Sequence, residues 1–123
     1  MRMIQVAQRA EDLDRATRFY TELLGAGPVA TYDPPGLVFF EVGGLRLLLD
    51  RGAPSALHYL GADDLEATVT RLRAAGVEVE SEPHLIFGHD DATLGPAGTD
   101  EWMAFVRDSE GNLLGLVEQR PRD

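Results

Sequence analysis

The 123-residue chain contains no cysteine and no lysine, only three histidines and a single tryptophan. Without cysteine there is no disulfide, no thiolate metal ligand and no thiol nucleophile. Without lysine there is no side-chain Schiff base. All 11 basic residues are arginine, a bias expected of a GC-rich bacterial genome. The serines are Ser55, Ser81 and Ser109, none inside a G-x-S-x-G turn, which disfavours a serine hydrolase. Neither G-x-G-x-x-G nor G-x-x-x-x-G-K occurs, so the usual phosphate-cradling loops are absent. The longest apolar stretches, around Leu45–Leu49, are far too short to span a bilayer. The first residues carry no apolar signal-peptide region, so a cytoplasmic location is expected.

A net charge of −10 disfavours nucleic acid and anionic membranes as partners, since both reward clustered positive charge. With 44% apolar and 26% charged residues, the chain has the composition of a globular protein rather than a disordered one. Its length suits a single domain, 1–123.

Residues 3–8 read as a strand. Asp12 then offers a helix cap, and Leu13, Ala16, Phe19, Tyr20, Leu23 and Leu24 follow at helical spacing up to Gly25. Two strands, Leu37–Val42 and Leu45–Leu49, flank a Gly43-Gly44 hairpin turn. After a linker at 50–55 the pattern begins again. Ala56–Gly61 reads as a strand, and Asp63 or Asp64 caps a helix with the stripe Leu65, Val69, Leu72, ended by Gly76. Strands are expected at Val77–Glu80, Pro83–Phe87, Trp102–Arg107 and Leu113–Glu118, with a polar loop over 88–100. A shift of 52 positions lays Ala10–Asp14 over Ala62–Glu66, and Gly44–Leu49 matches Gly111–Leu116 in the same order. The chain therefore reads as one unit used twice, a first module at about 1–50 and a second at about 56–119.

Four segments carry a family resemblance: EDLDRATRFYTELLG (11–25), LVFFEVGGLRLLLD (37–50), DDLEATVTRLRAAGVEV (63–79) and FVRDSEGNLLGLVE (105–118). In this order they resemble the vicinal oxygen chelate superfamily, which includes glyoxalases, bleomycin-resistance proteins and dioxygenases; Ser109 stands where its closing hairpin usually has proline. The resemblance implies an α+β fold of two tandem βαβββ modules whose mixed sheets curve into a cup. It also implies a homodimer. In metal-using members, ligands lie near the start of each module's first strand and in each last strand. Those positions fall on Gln5, Leu48, Leu57 and Gly115. Only Gln5 carries a donor, so no metal residue is assigned and no cofactor is expected. His58 follows Leu57 directly. It lies under the second helix, as Val6 does in the first half, or, with a one-residue slip, inside the cup.

Val38, Phe40, Leu48, Leu57, Tyr59 and Gly115 are then expected to line an apolar cup with Gln5, and Trp102 to stack on a planar ligand. His84 and Glu101 flank the 88–100 loop, and a histidine–carboxylate pair there suits acid–base catalysis. His89 lies in that loop beside Asp90 and Asp91 and reads as part of a solvated turn. Two functions follow from the resemblance. One is binding of a small, partly hydrophobic organic molecule with the usual metal site lost. The alternative is a lyase, isomerase or epimerase acting next to a carbonyl, with His84 and Glu101 as acid and base.

Overall fold

The structure, a computed structural model, describes residues 1–122. The first half runs β1 (Gln5–Arg9), α1 (Leu13–Leu24), β2 (Ala30–Tyr32), β3 (Leu37–Val42) and β4 (Leu45–Asp50). The second runs β5 (His58–Gly61), α2 (Leu65–Ala74), β6 (Val79–His89), β7 (Thr99–Arg107) and β8 (Leu113–Pro121). Each half forms a four-stranded mixed sheet with the same plan, β1-β4-β3-β2 and β5-β8-β7-β6. In each, the first and last strands pair in parallel and the rest antiparallel. This is the duplicated α+β unit expected from the repeat. Two compact units result. The first is 1–56 with the turn 108–112, and the second is 57–107 with the strand from Leu113. No helix among the described residues is long and apolar enough to cross a membrane.

The helices form where their caps and stripes dictate. Asp12 accepts the Arg15 N–H at 3.0 Å, and Gly25 closes α1 in the left-handed region at φ 77°. Asp64 accepts the Ala67 N–H at 3.0 Å to start α2. Leu13, Ala16 and Tyr20 are buried along α1, and Leu65, Val69 and Leu72 along α2. Because side chains alternate along a strand, each sheet offers one face to its helix. In the first unit that face is Val38, Phe40, Leu47 and Leu49, with Tyr20 and Phe40 ring centroids 6.3 Å apart. In the second it is Ala104, Val106, Leu114 and Leu116.

Several strand boundaries differ from the sequence reading. β2 was not anticipated; three residues at a sheet edge leave no periodicity to read. Val77–Glu80 and Pro83–Phe87 were expected as separate strands, but one strand, β6, runs through Pro83 with register shifts on either side. β6 is the edge of its sheet, where a missing N–H is tolerated. β6 runs on to His89 and β7 starts at Thr99, which shortens the loop to 90–98, and β8 extends to Pro121.

Candidate functional site

The expected ligand residues divide between the two faces of their sheets. Val38 and Phe40, expected in the cup wall, face α1 instead and are 4% and 1% exposed, so they are core. Their strand neighbours Leu37 and Phe39 take the opposite face. There they join Gln5 and Leu48, the first exposed and the second buried. Arg46 stands beside Gln5 on that face, with its guanidinium carbon 5.9 Å from the Phe39 ring centroid. Trp102 is likewise corrected. It pairs with Glu118 on the α2 side of its sheet, and Arg120 covers its ring at 4.3 Å. That cation–π contact occupies one face of the indole.

In the second unit His58 pairs with Leu114, which is buried beneath α2, so the unslipped register holds. Leu57 and Tyr59 alternate with it and are exposed on the other face. Tyr59 pairs with Gly115. Its ring lies so close over that glycine that a Cβ at position 115 would stand 2.5 Å from Tyr59 Cδ2. Phe105 meets the same ring edge-on at 6.1 Å.

His84 is exposed; its Nδ1 lies 2.8 Å from the Glu82 carbonyl oxygen, and its register partner is Met103. The histidine beside Glu101 is His89, not His84. Its Nε2 lies 2.9 Å from Glu101 Oε1, and Gln119 Nε2 donates to the same oxygen at 3.3 Å. His89 and Glu101 are both buried. Gly95 seats the loop on this cluster, where a Cβ would come within 2.7 Å of Gln119 Nε2 and 3.0 Å of the His89 ring. At the base of the loop Arg122 donates to Asp100 at 2.8 Å and to Asp90 at 3.3 Å. Within the loop, the Thr93 hydroxyl and backbone N–H hold the Asp91 carboxyl below its usual range. The signal for the cluster was hairpin register. Pairing His89 with Thr99 places Phe87 opposite Glu101 and His89 diagonal to it. Ending the last strand at Glu118 hid Gln119, which stands directly opposite Glu101.

Asp64, Glu66 and Glu118 also gather, with ligand atoms within 4.8 Å of one another. Each is already committed. Asp64 caps α2, Glu118 accepts the Leu65 N–H at 2.7 Å, and Glu66 pairs with Arg120.

In the first unit, the Tyr20 hydroxyl donates to Asp108 Oδ2 at 2.6 Å, and Asn112 donates to the same oxygen at 2.9 Å. Burial, together with the Asp108 charge, pushes the Tyr20 phenol well above its usual range. Burial opposes ionisation of Glu110, but hydrogen bonds from Arg15, the Asp12 N–H and Ser109 outweigh it and hold the carboxyl at about 2.

A family model described as the Glyoxalase/Bleomycin resistance protein/Dioxygenase superfamily matches residues 2–116. A probable lactoylglutathione lyase of Vibrio parahaemolyticus serotype O3:K6 (strain RIMD 2210633) is 27% identical, with 97% of this chain and 91% of that protein covered. The solved lactoylglutathione lyase from Agrobacterium tumefaciens is 28% identical at a TM-score of 0.67, covering 95% and 92% of the two chains. The trypanothione-dependent glyoxalase I of Leishmania major is 27% identical, also at 0.67, covering 96% and 86%. Match and fold agree along nearly the whole chain: it belongs to the glyoxalase/bleomycin resistance protein/dioxygenase superfamily.

Proposed function

We propose that the chain binds a small, partly hydrophobic organic molecule without the divalent metal usual in its superfamily. The observation that carries this reading is the Tyr59 ring over Gly115. A carboxylate is expected at position 115 in metal-using relatives. Here the position has no side chain, and its space is taken by an aromatic ring. Taken singly, the other expected ligand positions hold Leu48, Leu57 and Gln5, so one amide is the whole donor set. Zinc, nickel or manganese takes several nitrogen or oxygen donors. These residues do not fit such an ion. The second unit carries an apolar face of Leu57, Tyr59 and Phe105, and the first carries its own of Phe39 and Leu48; each by itself is the kind of surface a small organic ligand uses. A cytoplasmic homodimer with no nucleic-acid or membrane partner completes the proposal.

The test is a thermal-shift screen of small aromatic and aliphatic compounds on protein held in chelator. Saturable stabilisation that chelator does not abolish is the expected result. Stabilisation that appears only when a divalent metal is added back would overturn it.

A second reading, catalysis next to a carbonyl, is favoured by the buried His89–Glu101 pair and by the lyase names of similar proteins. Glu101 would then be the base, oriented by His89 and Gln119, with His84 outside the machinery. Lactoylglutathione turnover is the assay. Activity lost in Glu101→Gln but kept in His84→Ala would support this reading. No turnover in the unaltered protein would end it.

A further inference from the structure

We infer that the ligand is an organic anion whose carboxylate is received by Arg46 and Gln5. The inference rests on the binding reading above and concerns the sheet face of the first unit turned away from α1. Side chains on that face stand in three cross-strand rows. Gln5, Arg46 and Glu41 form the first, Ala7, Leu48 and Phe39 the second, and Arg9, Asp50, Leu37 and Tyr32 the third. The first row is polar and the second is an apolar floor.

Two donors in the first row have no acceptor. No carboxylate among the described residues lies within ion-pair distance of the Arg46 guanidinium, and the Gln5 amide has no hydrogen-bond partner among them. The carboxylate nearest in register, Glu41, turns to its own hairpin and accepts the Gly44 N–H at 2.7 Å. Asp50, in register with Arg9, does the same for the Gly52 N–H at 2.9 Å. Both acidic neighbours are therefore engaged by turns.

Arg46 is also preorganised. Its guanidinium lies over Phe39, which limits the planar fork's freedom before any ligand arrives. A guanidinium presents paired N–H groups that match a carboxylate's two oxygens. The Gln5 amide, in register beside it, can add a further donor. The Phe39 and Leu48 row would carry the apolar body of the same molecule. A neutral ligand would leave the donors with water alone.

The experiment is an NMR titration of the full chain with benzoate and with its neutral isostere benzamide. Benzoate is expected to bind about tenfold more tightly than benzamide, shifting amides of β1, β3 and β4. Arg46→Gln should bring benzoate down to the benzamide level. Arg18→Gln removes the same charge from an exposed site on α1 and should leave the preference intact. Equal loss in both variants would mean a net-charge effect and overturn the assignment. Benzamide binding to this face with no preference for benzoate would overturn the anion class while leaving the binding proposal standing. No binding of either probe would overturn both.

Discussion

Tyr59 and Gly115 exclude any other occupant from the point where they meet: a Cβ on residue 115 would fall 2.5 Å from Tyr59 Cδ2 and 3.2 Å from Cγ. Those atoms lie near the root of the ring and cannot give way by a small end-of-chain movement. Gly115→Ala should therefore cost about 1–3 kcal/mol by overpacking. Most of that loss should return in the Tyr59→Ala/Gly115→Ala double variant. Urea denaturation of the four-member cycle measures the coupling, and strictly additive losses would show that the two positions do not compete for space.

Tyr20 and Asp108 make a buried hydrogen bond at 2.6 Å. Tyr20→Phe leaves the carboxylate with fewer donors and should cost about 1–3 kcal/mol. The phenol's raised value also has a sign. A group that holds its proton more tightly when folded stabilises the fold below its unfolded value and loses that contribution as pH rises. Stability should fall as pH climbs beyond the ordinary tyrosine value of 10.0. A pH series of denaturation curves should show this fall reduced in Tyr20→Phe.

Glu110 behaves oppositely. Its carboxyl is lowered from 4.5 to about 2, so its contribution is complete above 4.5 and is lost as pH falls toward 2. Glu110→Gln should flatten the stability profile in that window. An unchanged acid limb would mean that Arg15 and Ser109 do not hold the charge as described.

His89 and Glu101 form a buried pair that Gln119 completes. Glu101→Ala strands the imidazole and should cost about 1–3 kcal/mol, whereas Glu101→Gln, which keeps an acceptor, should cost less. Gly95→Ala should loosen residues 90–98 without unfolding the sheet, visible as faster amide exchange confined to that loop. Unchanged loop exchange would mean that Gly95 is not its seat.

The fold was readable because two signals agreed. Asp12 and Asp64 cap helices whose apolar stripes lie at helical spacing, and Gly44–Leu49 and Gly111–Leu116 repeat one closing hairpin. The site was only partly readable. Tyr59's face followed from alternation with Leu57. Phe40 and Val38 did not follow, because an apolar strand buried on its helix side reads the same whichever face is assigned to the core. Glu101 was found and its histidine was not. Choosing between His84 and His89 needed the register of a strand that shifts repeatedly along its length, and strand ends placed a few residues short hid that pairing. Arg46 reads in sequence as one more charge in a strand. Its meaning depends on Phe39 beneath it and on Glu41 being turned toward Gly44.

The most direct test of the central claim is elemental analysis of the untagged protein purified from cells grown with added zinc, nickel and manganese. Bound metal is predicted to stay far below one ion per chain. One ion per chain that survives gel filtration and is lost in Gln5→Ala would contradict the account.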